Sequence, residues 1–217
     1  MTEKIFWSDP YLSALDTLVT AVDSDTIQLK ETIFYAFSGG QESDSGTIGG
    51  YPVQTATKVG TDIHYRLAPD HPLRTGDAVH VEIDWPRRYA LMRLHFAAEL
   101  VLELVSREVT AIEKVGAHIA QDKARIDFKT TENISAYFPI VSAKAQAIIE
   151  ADLPIISAFS DEAAQRRYWE IPDFARVPCG GTHLRSTREV GGIRLKRKNV
   201  GKGTERIEIY LAECSPS

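Results

Sequence analysis

Hydrophobic and polar positions alternate through the first part of the chain, and the period then changes. Ile27-Gln28-Leu29-Lys30 alternates over four residues and predicts a short strand, and Thr32–Phe37 (TIFYAF) is aromatic and predicts another. A glycine-rich loop follows over Ser38–Gly50. Tyr51–Val59 and Asp62–Leu67, separated by Gly60-Thr61, read as a hairpin. Val79, Val81, Ile83 and Trp85 alternate with His80, Glu82 and Asp84, the pattern of a half-buried strand. Many short strands divided by turn signals predict a small β-barrel-like domain.

Beyond Trp85 the apolar residues recur at helical spacing. Leu91, Leu94, Ala98, Val101, Leu102 and Val105 mark one helix over about Pro86–Glu108, with the proline at its start. A strand pair is predicted at His118–Ala120 and Ala124–Phe128, and a second helix over Ser135–Ala151. A short third helix is expected near Asp161–Tyr168, and a hairpin over Gly192–Leu211 with GKGT as its turn. The fold class is therefore α+β. Residues 1–86 form the N-terminal β domain with its glycine-rich loop, and residues 87–217 an α+β domain with helices packed on an antiparallel sheet. No flexible linker marks the boundary.

Composition narrows this picture only a little. The chain has 217 residues, 43% of them hydrophobic and 25% charged, which fits a folded globular protein. No apolar run reaches membrane-spanning length, the N-terminal segment is too acidic for a signal peptide, and the expected location is cytoplasmic. Two cysteines, Cys179 and Cys214, exclude a disulfide framework. The net charge of −5 argues against a surface that is basic throughout, yet Arg194–Arg206 (RLKRKNVGKGTER) holds six Lys or Arg against one Glu. Taken alone, such a run reads first as a solvated hairpin.

Two places carry candidate chemistry. His95 and Glu99 in RLHFAAEL are four apart on the predicted helix and share a face. Cys179 and His183 in PCGGTH are four apart on a glycine-rich turn. One thiolate, two imidazoles and one carboxylate are all ligand types that zinc accepts. Each piece alone has an ordinary structural explanation, and their meeting in space is an expectation. A zincin helix, HExxH, is absent, which disfavours a metalloprotease.

Five stretches then resemble one family in order. They are FSGGQESDSGTI (Phe37–Ile48), IDWPRRYALMRLH (Ile83–His95), HIAQDKARIDF (His118–Phe128), CGGTHLRSTREVG (Cys179–Gly191) and NVGKGTERI (Asn199–Ile207). The chain resembles the alanyl-tRNA editing proteins, free-standing relatives of the alanyl-tRNA synthetase editing domain; threonyl-tRNA synthetase carries a related domain. The resemblance implies a zinc-dependent deacylase that hydrolyses mischarged tRNA in trans, with seryl-tRNA(Ala) or glycyl-tRNA(Ala) as substrate. The family's ligands carry over to His95, Cys179 and His183. Its second helical histidine is Glu99 here, and Phe96 stands where Thr or Ser is usual. Glu99 is then a metal ligand, a general base or the sign of an eroded site.

On this reading Gly180, Gly181, Thr182 and Gln41 join Glu99 at the reacting end, with Thr182 or Gln41 contacting the serine hydroxyl. Gly39, Gly40 and Asp44 of the glycine-rich loop line the substrate pocket, although a tight turn explains that loop equally well. Arg185, Arg188, Lys198 and Lys202 contact the acceptor end of the tRNA, with Arg87, Arg88, Lys196, Arg197 and Arg206 as further phosphate contacts. Two other readings compete: a non-catalytic tRNA-binding protein with a degenerate metal site, and a deacylase of the same fold for another aminoacyl-tRNA or a small ester.

Overall fold

The computed structural model describes residues 2–201 and 203–212. Sheets predominate over helices, and the chain divides into two compact units, Met1–Tyr89 and Ala90–Ser217.

In the first unit the elements run β1 (Glu3–Lys4), α1 (Ile5–Ser8), β2 (Ala14–Asp23), β3 (Thr26–Leu29), β4 (Glu31–Thr32), β5 (Gly46–Ile48), β6 (Tyr51–Pro52), β7 (Thr55–Val59), β8 (Asp62–Arg66) and β9 (Ala78–Ile83). Seven of the strands form one curled antiparallel sheet in the order β6-β5-β9-β2-β3-β8-β7. Its end strands do not pair with each other, so the sheet is half a barrel and not a closed one. The curl comes from β2, which pairs through Ala14–Leu18 with β9 and, past an irregularity at Val19/Ala21, through its second half with β3. β9 alternates as its sequence predicts, with Val79, Val81 and Ile83 buried. The β7–β8 hairpin turns at Gly60-Thr61 as expected. Gly46 of β5 is a glycine because β9 lies so close: an added Cβ would sit 2.1 Å from the Glu82 carbonyl oxygen.

The strand predicted at Thr32–Phe37 is corrected. Only Glu31–Thr32 is paired; Ile33, Phe34, Tyr35 and Ala36 are buried but join no ladder. Side chains satisfy this backbone instead. The Phe34 N–H donates to Thr32 Oγ1 at 3.0 Å, and the Tyr35 N–H to Asp44 Oδ2 at 2.7 Å. The Ile33 carbonyl accepts from Arg88 Nη2 at 2.6 Å. Arg88 also donates through Nε to Asp44 Oδ1 at 2.8 Å, through Nη2 to Asp44 Oδ2, and through Nη1 to the Pro10 carbonyl at 3.0 Å. Both side chains of this ion pair are fully buried.

The helix α2 (Trp85–Glu108) runs out of the first unit into the second. Its residues from Leu91 to Val105 are buried on nearly every side, as befits a helix inside a fold. The second unit continues with β10 (Glu113–Ile119), β11 (Ala124–Lys129), a 3₁₀ turn at Ile134–Tyr137, α3 (Phe138–Glu150), β12 (Ile156–Asp161), β13 (Arg166–Ile171), β14 (Ala175–Pro178), a second 3₁₀ turn at Thr187–Val190, β15 (Ile193–Gly201) and β16 (Thr204–Leu211). Two antiparallel sheets result, β10-β11-β16-β15 and β12-β13-β14. The helix expected near Asp161–Tyr168 is instead the β12–β13 hairpin. Arg167, Trp169 and Ile171 are buried in alternation, a period of two that outweighs the helix-forming residues in the turn. No described helix is long and apolar enough to cross a membrane.

Asp44→Ala would strand the Arg88 guanidinium in the core, and the expected loss of stability is about 3–5 kcal/mol, read from denaturant unfolding. Asp44→Ala combined with Arg88→Met should cost less than the two single losses added together. Simple additivity would show that the pair does not act as a unit.

Candidate metal centre

Two distant stretches meet within the second unit. α2 supplies His95 and Glu99 from successive turns, and the turn after β14 supplies Cys179 and His183. The turn is placed by β13, because the Cys179 N–H donates to the Arg167 carbonyl at 2.9 Å. His95 Nε2 lies 3.2 Å and His183 Nε2 3.3 Å from Cys179 Sγ. Donor atoms of His95, Cys179 and His183 all fall within 4.8 Å of one another. Glu99 Oε1 stands a little further off, 3.8 Å from His95 Nε2 and 4.0 Å from Cys179 Sγ.

Neighbours hold these groups in place. His183 Nδ1 is 2.8 Å from Ser157 Oγ on β12, which leaves Nε2 as the nitrogen that faces the sulfur. Trp169 Nε1 of β13 donates to Glu99 Oε2 at 3.3 Å, so the other carboxylate oxygen is turned toward His95 and Cys179. Phe96 is fully buried, edge-on to Trp169 at 5.1 Å between ring centroids and 6.4 Å from the His183 ring. It packs in the core beside the cluster.

Burial decides the protonation of the set. Desolvation lowers the His95 pKa, against the pull of Glu99, and puts that of His183 well below the usual imidazole range, helped by His95 and Arg167. Both rings are neutral at pH 7, the form that binds metal. Desolvation, reinforced by Glu99, pushes the Cys179 thiol up to about 12, so it is a thiol until a cation displaces the proton. The Gly181 N–H bonds to this sulfur, and the buried Arg167 guanidinium opposes the rise. Zinc bound to imidazole and thiolate at tetrahedral angles would hold N and S about 3.5 Å apart, so the observed N···S distances suit it.

The other expected site residues fall in several places. Thr182 is nearly fully buried beside His183, and Gly180 is exposed with nothing near that an added Cβ would meet. Gly181 spends its N–H on Cys179 and its carbonyl on Arg167 Nη1, 3.4 Å away. Gly39 and Gly40 both have positive φ, 61° and 87°, in a tight turn closed by reciprocal Ser38–Gln41 backbone hydrogen bonds. Gln41 is fully buried, and both carboxylate oxygens of Asp44 are committed to Arg88 and Tyr35. All four lie in the first unit.

Arg88 is corrected as a phosphate contact, because its guanidinium is buried in that ion pair. Arg87 binds Glu42 at 2.8 Å and the Ser43 carbonyl at 3.0 Å. Arg197 is paired with Glu205 and Arg206 with Asp127, while Arg185, Arg188, Lys196 and Lys198 are exposed. Lys202 and Cys214 lie outside the described residues.

Ser157, Arg167 and Trp169 are absent from the sequence-based site. The alternation of Arg167, Trp169 and Ile171 was the available signal, hidden by the helix expected nearby.

Residues 168–208, which include the Cys179–His183 turn, match the threonyl and alanyl tRNA synthetase second additional domain. The alanyl-tRNA editing protein AlaX-M of Pyrococcus horikoshii is 36% identical, over 97% of this chain and 98% of its own. The chain belongs to the alanyl-tRNA editing proteins. AlaX-M of Methanosarcina acetivorans is 30% identical over 98% of this chain and all of its own. The alanine–tRNA ligase of Sulfurisphaera tokodaii is 29% identical over 97% of this chain but only 26% of its own length, so in that enzyme the region shared with this family member is one part of a larger protein.

Ser157→Ala should weaken Zn²⁺ binding by about 10- to 100-fold, measured by competition with a chromophoric chelator. The melting temperature of the metal-free protein should be unchanged. Equal affinity in both proteins would mean that His183 needs no partner at Nδ1.

Proposed function

We propose that this chain hydrolyses seryl-tRNA(Ala), and glycyl-tRNA(Ala) as a further substrate, with a zinc ion held by His95, Cys179, His183 and Glu99. Family membership makes the chain an aminoacyl-tRNA deacylase, an enzyme that cleaves the ester between amino acid and tRNA. The observation that carries the finer reading is the meeting of two neutral imidazoles and one thiol in a buried cluster. Held there, zinc supplies Lewis-acid chemistry to an ester that is already activated.

The chain's own groups do the rest. Cys179, His95 and His183 would be the primary donors, and Glu99 would complete the set, because Trp169 turns its carboxylate toward them. A carboxylate is an acceptable zinc ligand at nearly the same distance as imidazole, so the departure from the family's histidine keeps the site usable. The open space over Gly180 admits the ester and the terminal ribose. Serine differs from alanine by one hydroxyl, and only a site that hydrogen-bonds this group prefers it strongly. The Thr182 hydroxyl, buried next to His183, supports that role for this residue.

A deacylation panel over Ser-, Gly- and Ala-tRNA(Ala) and Ser-tRNA(Thr), with and without chelator, tests the reading. Ser-tRNA(Ala) should be cleaved, Ala-tRNA(Ala) spared, and the activity lost to chelator. Cys179→Ala and His183→Ala should each lower the rate by more than about 100-fold; undiminished rates would end the proposal. Glu99→Ala should lose metal and activity together, while Glu99→His, which restores an imidazole, should keep both. A fully active Glu99→Ala would remove Glu99 from the donor set.

A further inference from the structure

The sheet β10-β11-β16-β15 has one face turned inward through Ile126, Ile207 and Ile209, all buried. Alternation puts the intervening residues on the other face. Register sets that face out in rows. Lys198 lies opposite Arg206, and Arg206 opposite Asp127; Lys196 lies opposite Glu208, and Glu208 opposite Arg125; Arg194 lies opposite Tyr210. Lys123, just before β11, reaches Glu208 at 2.9 Å and lies over the Tyr210 ring. The row at the hairpin end, Lys129 with Glu113, adds no net charge.

We propose that this outer face docks the phosphate backbone of the substrate RNA. The proposal rests on the tRNA reading above and adds the surface that carries the affinity.

Six cations share the face with two carboxylates, a local excess of four on a chain whose net charge is −5. The carboxylates also lie beneath the cations. The Glu208 side chain is 7% exposed against 35% for Lys123, and Asp127 is 13% exposed against 33% for Arg125. Lys123 and the Tyr210 hydroxyl hold Glu208 below the usual carboxylate range. The acids thus brace the bases from below, and the surface presented to a partner is positive. Arg194, Lys196 and Lys198 are exposed along the edge strand β15 at alternate positions, roughly 6.6 Å apart, a separation comparable with that of successive phosphates. The Arg194 guanidinium lies 4.6 Å from the centre of the Tyr210 ring, so it is steadied in place. Deacylation chemistry reads only the charged 3′ end, which offers little contact area; backbone phosphates are the available source of affinity.

The test uses the full chain with unacylated tRNA(Ala), measuring Kd as a function of salt. Replacing Arg194, Lys196 and Lys198 by Gln should reduce the slope of log K against log salt by about 3. Between about 50 and 200 mM salt, wild-type affinity should therefore fall roughly 60-fold more than that of the variant. A control that removes as many cations from the first unit, Lys30, Lys58 and Arg66 to Gln, should keep the wild-type slope. Melting curves check that both variants are folded. An unchanged slope in the sheet variant overturns the proposal, as does an equal loss in the control. Loss of binding to anionic vesicles with tRNA binding intact would assign the face to a membrane and overturn it as well. A wild type that binds tRNA through this face but deacylates none would remove the editing reading and leave the docking surface standing.

Discussion

The second unit is organised around one constraint: three candidate metal donors, His95, Cys179 and His183, are taken out of water together. Burial keeps both imidazoles neutral and holds the thiol protonated up to about pH 12, and the charges of Glu99 and Arg167 beside them do not reverse this. Such an arrangement persists only if the surrounding elements fix it. α2 is buried on nearly all sides and cannot rotate its His95–Glu99 face away. The β12–β13–β14 sheet delivers Ser157, Arg167 and Trp169 to the back of the donors and ties the Cys179 turn to β13. Replacing the family's second histidine by Glu99 fits the same frame, because the tryptophan above it gives one carboxylate oxygen a partner and aims the other inward.

The first unit meets a comparable cost differently. A run of four buried residues, Ile33–Ala36, sits outside any ladder, and each unmet backbone group there would be expensive. Asp44 and Arg88 act as a substitute strand: one accepts the Tyr35 N–H, the other donates to the Ile33 carbonyl, and each neutralises the other. This explains a fully buried ion pair without appeal to substrate, and it explains why the glycine-rich loop must turn tightly at Gly39-Gly40, bringing Asp44 back against the segment it serves.

Period and motif spacing made much of this legible in advance. The long helix, the Gly60-Thr61 hairpin, the β9 alternation and the closing hairpin follow directly from their residues, because local propensity and burial agree there. The Cys179–His183 and His95–Glu99 pairs were visible as motifs, though spacing alone cannot show that they meet. Two misreadings have one origin. TIFYAF looks like a strand because it is apolar and β-branched, yet a side-chain ion pair takes over its hydrogen bonding. Asp161–Tyr168 looks helical because its turn residues favour helix, yet Arg167, Trp169 and Ile171 bury on a period of two. In both, long-range partners decide, and these carry no local signature. Ser157, Arg167 and Trp169 were missed for that reason: each matters through a residue many positions away.

Charge is divided by the same logic. The chain is acidic as a whole, and two basic residues of the hairpin, Arg197 on the inward face and Arg206 on the outer one, are paired with Glu205 and Asp127. Those ion pairs are partly buried, so each is worth more than a fully exposed surface pair. Their stronger effect is geometric: an arginine locked by a carboxylate below it presents its remaining edge in one orientation, whereas a free lysine would sample many. A sheet also spaces its side chains rigidly in two directions, which a loop of the same composition cannot do. A run that reads in sequence as a solvated charge cluster therefore becomes, once folded against β11, a set of positive groups at the regular spacing of a sheet, with the acids Asp127 and Glu208 held underneath.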